Sequence, residues 1–501
     1  MRFLVVFLVM SYQMAFAEPL TLRQFLQAAT VDHPVFRQAD NLTKIERAQQ
    51  KAEKGEADWF LNLEGSYEAD DRSSSTVSSY SIPFPSGDSI PQYHEIESKD
   101  KRKNVNLSLT KSFWDNGTRL QAFYSAVHNK TISYSTQVDE DGIPLEDRTS
   151  SSNKLNYGNL RLRYTIPLLK GAFGISMRGS YEIKYFDVKM AELIAAENKE
   201  EFLAELAMLF IEWEGFIKQR NLKMLQKNYL TKFLDMLQSK ILTKDQLVLD
   251  QLRIQQQLVK NESDILEIES QIKSLSIVLS ELSSVLNVMD KSPIINFFNI
   301  EVINKKNINS NRQLSVLQWQ REQIDNTIKI QKNSLKPRLD FKSEFHISGK
   351  SQEDFENTFD RERQDYIFSI NFFYPLGNTT AKAKLSQSRI EYQQNIDQKK
   401  YQQMQINADI NAMKIELQKL VAILSLNEKQ IEVEKEVNRL QQQAYFNEEV
   451  DLSIVLDSIN QQYALQVEAI NHRVGYQQQF IAYLDRTDQL YVDSVIHREI
   501  R

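Results

Sequence analysis

Side chains that do chemistry need fixed spacings, and this 501-residue chain offers few of them. The six histidines, at 33, 94, 128, 346, 472 and 497, form no HExxH and no other close pair, so no metal centre is expected. Cysteine is absent, which removes disulfides, zinc–thiolate sites and a thiol nucleophile. Neither a GxxxxGK phosphate loop nor a GxGxxG nucleotide fingerprint occurs. Charges do cluster at Glu64, at Arg161 and Arg163, and at Asp340, Lys342 and Glu344 beside His346. Paired carboxylates can act as general acid and base. Here they alternate with apolar residues, the pattern of solvated charges on a wet sheet face. No catalytic residue, cofactor or metal ligand is expected, and the chain reads as a non-enzyme. With 61 Lys+Arg against 67 Asp+Glu, the net charge of −6 also argues against nucleic acid as a partner.

The elements carrying those charges have period two. Trp59, Leu61, Leu63, Gly65 and Tyr67 alternate with Phe60, Asn62, Glu64 and Ser66. Val105, Leu107 and Leu109 alternate with Asn104, Asn106 and Ser108, and Leu160, Leu162 and Tyr164 with Arg161 and Arg163. Leu339, Phe341 and Phe345 alternate with Asp340, Lys342 and Glu344, and Phe368, Ile370 and Phe372 with Ser369 and Asn371. Thr118–Ser135 is β-rich but less regular. Alternation over about ten residues, with aromatics near the ends, is the signature of a transmembrane β-barrel. The apolar set would face lipid. Glu64, Arg161, Arg163, Asp340, Lys342 and Glu344 would face a watery lumen.

Long helices fill the rest. Proline is missing from 168–292 and from 376–501; Gly215 is the only glycine in 180–336 and Gly475 the only one in 378–501. Proline costs about 3 kcal/mol and glycine about 1 kcal/mol in a helix interior, so such gaps permit very long helices. Ile265, Ile268, Ile272, Leu275, Leu279 and Leu282 keep 3–4 spacing, as do Ile406, Ile410, Met413, Leu417, Leu420 and Leu424. These are seams of coiled-coil type. From Gly174 to Ile241 a helix would run about 100 Å at roughly 1.5 Å per residue, a strut rather than part of a compact domain.

The N-terminus reads as a secretory signal peptide: Arg2, the apolar Phe3–Met10, then Ala15-Phe16-Ala17 before a cut at Glu18. No apolar run of 18 residues follows, so a membrane location would require a closed barrel. The chain also repeats. Ile166-Pro167-Leu168 ends one strand and Tyr374-Pro375-Leu376 another, and Val248-Leu249-Asp250 and Val455-Leu456-Asp457 follow the two prolines at 81 and 80 residues. Two tandem copies of helix, strands and helical hairpin are expected.

Three motifs resemble one family. Leu20-Thr21-Leu22-Arg23-Gln24-Phe25, with His33-Pro34-Val35, is similar to the LTLxEAL…NPxL opening of the TolC-like outer membrane efflux family. Tyr164-Thr165-Ile166-Pro167-Leu168-Leu169-Lys170-Gly171 resembles its LxQPLLRG turn, and Tyr445 with Val455-Leu456-Asp457 its second tip motif. The resemblance spans 18 to about 487. It implies an α+β membrane protein: a trimeric transmembrane β-barrel in the outer membrane, continued by a long α-helical coiled-coil barrel in the periplasm. It implies a homotrimer that serves tripartite efflux or type I secretion as a passive exit duct. The periplasmic tip would be opened by a membrane fusion protein and an inner-membrane transporter. Asp457 and Tyr445 match tip positions directly, and Asp250 through the repeat. The tip glycine is replaced by Glu448, and by Ile241 in the first copy. The turn Glu448-Glu449-Val450-Asp451 is acidic, so a trimer would carry carboxylate rings that select cations. Neither turn holds an arginine, so the family's ionic latch does not carry over.

The expected boundaries are a signal peptide (1–17), a first helix (18–57), barrel strands with an extra hairpin (58–170), a helical hairpin (171–290), a linker and second helix (291–336), second strands (337–376), a second hairpin (377–487) and a tail (488–501). The extra hairpin, turning at Asn116-Gly117, raises the expected count to six strands per protomer. The competing reading is a periplasmic coiled-coil scaffold or membrane fusion adaptor, which would show no lipid-facing alternation.

Overall fold

A computed structural model of the chain describes residues 18–490 apart from 31–32, 71–77, 84–88, 140, 142, 146, 241–244, 284–287, 289–290, 299–310, 353–355 and 360–362. The signal-peptide expectation therefore lies outside the described residues. The elements begin with β1 (Glu18–Thr21), α1 (Leu22–Thr30), α2 (Pro34–Glu53), β2 (Trp59–Asp70), β3 (Ser78–Pro83), β4 (Ser89–Ser112), β5 (Arg119–Val138) and β6 (Thr149–Pro167). Then come α3 (Ile175–Lys240), α4 (Asp245–Ser283), β7 (Lys291–Ile294), α5 (Arg312–Ser334), β8 (Arg338–Ser351), β9 (Arg363–Phe373), α6 (Thr379–Phe446) and α7 (Leu452–Arg486). They form two compact units: one from residues up to Ile45, Lys189–Gln320 and Asn395 onward, the other from Glu46–Val188 and Arg321–Gln394.

In the helical unit, the seams become the core. Ile272, Leu275, Leu279 and Leu282 of α4 and Ile406, Ile410, Met413 and Leu417 of α6 pack with Leu203, Phe210 and Trp213 of α3 and Tyr476 and Phe480 of α7. Helix α1 starts with a reciprocal cap: the Thr21 hydroxyl accepts from the Gln24 N–H at 3.3 Å, and the Gln24 side chain accepts from the Thr21 N–H at 3.0 Å. Its apolar residues Leu22, Phe25, Leu26 and Ala29 are all buried. One element has no counterpart in the expected boundaries: β1 pairs in parallel with β7, Glu18 opposite Lys291 through Thr21 opposite Ile294.

The second unit holds an antiparallel sheet in the order β2-β4-β5-β6-β8-β9, with β3 paired to β4. One row runs Leu61, Leu109, Ala122, Leu162, Phe345, Tyr366 across six strands. The adjacent row runs Phe60, Thr110, Gln121, Arg163, Glu344, Ile367, so across the four inner strands the register separates an apolar face from a polar one, while the edge strands carry apolar Phe60 and Ile367 on both. The extra hairpin β4–β5 lies inside this order, between β2 and β6. At its turn the Asn116 side chain accepts from the Thr118 N–H at 2.9 Å. Gly117 sits at φ +72°, where a Cβ would fall 2.7 Å from the Gly171 carbonyl oxygen. The strands outrun their alternation: β4 begins at Ser89 and β6 at Thr149, and β3 occupies part of the Ser-rich stretch between β2 and β4. Where both faces are polar, ladder hydrogen bonds still form but the periodic signal vanishes.

Candidate functional site

The turn between α6 and α7 closes on backbone bonds, with one long side-chain bond from Asn447 to Glu449 at 3.4 Å. The Glu449 N–H donates to the Ala444 carbonyl at 2.9 Å and the Glu448 N–H to the Tyr445 carbonyl at 3.0 Å, a Schellman cap. That cap wants glycine at its left-handed position, and Glu448 occupies it at φ +64°. The side chains of Glu448, Glu449 and Asp451 are exposed.

One turn back on α6, the Tyr445 hydroxyl donates to Asp250 Oδ2 on α4 at 3.0 Å. Burial, then the hydrogen bond and charge of Asp250, push the Tyr445 hydroxyl well above its ordinary pKa, so it stays a neutral donor. Arg253 Nη1 stands 4.0 Å from Asp250 Oδ1, one helical turn along α4. Beneath them lie Leu230, Phe233 and Leu237 of α3, Ile254 of α4 and Leu452, Val455 and Ile459 of α7. Uncharged amides tie the helices further along: Asn460 accepts from Gln226 at 3.2 Å and Gln257 at 2.8 Å, and Asn438 donates to Gln462 at 2.6 Å. Gln442 bonds the Tyr229 hydroxyl, whose pKa burial raises.

The structure thus brings Asp250 and Tyr445 together across 195 residues of sequence. It leaves Asp457 exposed on α7 without a side-chain partner among the described residues. Ile241 lies outside the described residues. Sequence reasoning misses Arg253. It looks for an arginine in the turns, whereas the i,i+3 neighbour of Asp250 shares its helix face.

On the sheet's polar face Arg163 Nε donates to Glu344 Oε1 at 2.7 Å, with Arg161 Nε 4.0 Å from the same carboxylate. Asp340, nearly buried, accepts from Arg338 Nε at 2.6 Å. Lys342 lies in register with Thr165, and Glu64 with Asn106 on the β2 edge. These are interlocked or solvated charges, with no nucleophile–base pair among them. Three histidines are likewise committed: His33 stacks on Phe202, and His128 and His472 bond Asn156 and Asn427. Among the described residues no three His, Asp or Glu gather to hold a metal, and no helix is long and apolar enough to cross a membrane.

No protein-family model and no curated protein sequence matches the chain. Solved structures do. CusC, described in terms of folding and transmembrane channel formation, aligns with TM-score 0.65 over 93% of this chain and 91% of its own, at 12% identity. The outer membrane protein VceC of Vibrio cholerae gives 0.61 over 93% and 95%, at 12% identity. The open-state MtrE outer membrane channel of Neisseria gonorrhoeae gives 0.60 over 93% and 88%, at 12% identity. The chain has the outer membrane channel fold. Within that fold the motif Leu20–Phe25 forms β1 and the buried face of α1, and Pro167 ends β6 just before α3.

Proposed function

We propose that the chain is the outer membrane component of a tripartite efflux or type I secretion system, a passive exit duct with no chemistry of its own. The observation that carries this is the sheet. Its apolar face is exposed at the edges, where Leu61 and Leu63 on β2 are each 69% exposed and Phe368 and Ile370 on β9 each 67%, and among the described residues β2 and β9 each pair with a strand on one side only. In water such a face and such edges are aggregation sites. In lipid, with β9 of one copy paired to β2 of the next, they are the wall of a barrel. From Trp59 to Tyr67 the apolar face of β2 covers nine residues, the length a tilted strand needs to cross a bilayer. A soluble scaffold or adaptor has no use for such a face.

Three copies of the six-stranded path would close an 18-stranded barrel, wider by the β4–β5 hairpin than a wall of four strands per copy. The helices, in two tandem hairpins, would form a periplasmic tunnel. Its gate would be the Tyr445–Asp250–Arg253 cluster, with exposed Asp457 available to a neighbouring copy. Glu448, Glu449 and Asp451 would present the acidic rim that a membrane fusion protein meets, with an inner-membrane transporter supplying the cargo.

The test is fractionation followed by planar-bilayer recording of the purified protein. The expected result is recovery with outer membranes and discrete channel currents. A chain that extracts without detergent and carries no current overturns the proposal. Excising the hairpin 104–135 lowers single-channel conductance if it belongs to the wall; an unchanged conductance places it elsewhere.

A further inference from the structure

On the polar face, at the end of the sheet where β6 runs into α3 and α5 into β8, lies a cavity of about 590 Å³. Six cations line it (Arg119, Arg163, Lys170, Lys336, Arg338 and Lys342), against the single carboxylate of Asp340. Two of the six are neutralised in place: Arg163 by Glu344 at 2.7 Å and Arg338 by Asp340 at 2.6 Å. Arg119, Lys170, Lys336 and Lys342 have no acidic partner among the described residues. The register fixes two of them: Arg119 and Lys342 flank Thr165 from either side, roughly 10 Å apart at two strand spacings. The first turn of α3 contributes Ser176 and Met177 to the wall, so the positive end of a 66-residue helix points the same way.

Four cations without an ion-pair partner among the described residues repel each other in one concavity. The cavity has the volume of a small-molecule site. We infer that it binds organic anions bearing carboxylate or phosphate groups, and that such anions are the cargo class of the duct. This rests on the reading of the polar face as the lumen. The site is open to water, so its cations stay hydrated and hold an anion loosely enough to release it, as a conduit requires. The acidic rim at Glu448 and Glu449 biases small-ion current the other way. Binding, not ion selectivity, is therefore the deciding measurement.

The experiment is equilibrium dialysis of the full chain in neutral detergent against labelled citrate, paired with citrate block of bilayer currents. The wild type binds citrate, and K336Q/K342Q weakens binding by about tenfold or more, because two charge-assisted hydrogen-bond donors leave the site. K336R/K342R restores it. Lys329→Gln, which lies outside the cavity and pairs with Asp325 at 2.9 Å, leaves binding unchanged. Citrate block falls in parallel with binding. Added phosphatidylglycerol does not compete, which separates a cargo site from a headgroup site; full competition overturns the cargo reading. Binding without any channel current would sink the duct and leave the anion site standing. Currents with no citrate binding, or binding indifferent to K336Q/K342Q, would sink the anion site and leave the duct.

Discussion

Replacing Tyr445 by phenylalanine deletes one oxygen and leaves the ring among Phe233 and Phe446. The loss falls on Asp250, only 8% exposed, which among the described residues then keeps Arg253 as its one side-chain partner, at 4.0 Å. A hydrogen bond to a charged group contributes about 1.5–3 kcal/mol, and a buried acceptor left unpaired costs about as much. The Arg253 pairing is long and its side chain is 44% exposed, so it contributes about 0–1 kcal/mol. The hydroxyl, not the guanidinium, should therefore dominate the link between α4 and α6. If opening separates those helices, Tyr445→Phe shifts the open-to-closed ratio by about 10- to 150-fold at 1.4 kcal/mol per decade. Arg253→Gln shifts it less than about fivefold. Single-channel recordings read the open probability, and a Y445F/D250N double-mutant cycle isolates the pair. Additive single effects, or an open probability for Y445F within twofold of wild type, would refute the reasoning.

Other outcomes follow from the same geometry. Glu448→Gly removes a left-handed non-glycine residue costing about 1–2 kcal/mol, offset by about 0.5–1 kcal/mol of glycine entropy, so the melting temperature rises slightly; a fall contradicts the Schellman assignment. Burial and the Glu197, Glu201 and Asp488 carboxylates push the Asp485 carboxyl up to about 6, from an ordinary value near 3.9. The folded chain thus holds this proton more tightly than the unfolded chain, so the group's contribution is most favourable below about pH 4 and is lost as pH rises to about 6. Asp485→Asn should melt higher than wild type at pH 7, with the gap closing toward pH 4. On the apolar-face side of the sheet Lys101, Lys130 and Lys154 stand directly opposite one another on β4, β5 and β6; Lys130→Thr relieves two like-charge pairs. It should stabilise by about 0.5–1 kcal/mol at low salt and less at 1 M salt, read by thermal melting.

The strands were legible because apolar and polar residues alternate along each of them. Leu61, Leu109 and Leu162 announce the apolar face as clearly as Glu344 and Arg163 announce the polar one. The helices were legible because the seams Ile406–Leu424 lack any breaker and end in a core. Tyr445 and Asp250 were singled out one at a time, by resemblance and by the repeat; their pairing was not legible, since no local pattern links residues on α4 and α6. Strand extensions such as Ser89–Asn104 were invisible because they carry no apolar face to alternate.

The least legible feature is the ionic clamp in the helical unit. Arg312 pairs with Glu200 and lies 3.8 Å from Asp488 Oδ1; the Asp488 carboxylate also accepts from the Arg312 backbone N–H at 2.7 Å. Both acids are almost fully buried, and Glu200 accepts in addition from the Leu490 N–H at 2.7 Å. By sequence Asp488 belongs to the tail that begins there, yet it sits at φ +53° in a second Schellman cap, where the Gln489 N–H meets the Leu484 carbonyl at 2.8 Å. Its left-handed backbone turns the carboxylate onto the start of α5. Sequence reading weighs residues by neighbours and period, and neither connects 200, 312 and 488. A buried charge is tolerable only where others neutralise it and hydrogen bonds fill its lone pairs. The three must therefore be kept together or exchanged together. Removing the Arg312 side chain alone takes the guanidinium away from two buried carboxylates, next to an Asp485 carboxyl already pushed up by burial and its acidic neighbours. Breaking such a buried pair costs about 3–5 kcal/mol, as much as truncating the fully buried Phe210 or Trp213 of the apolar core.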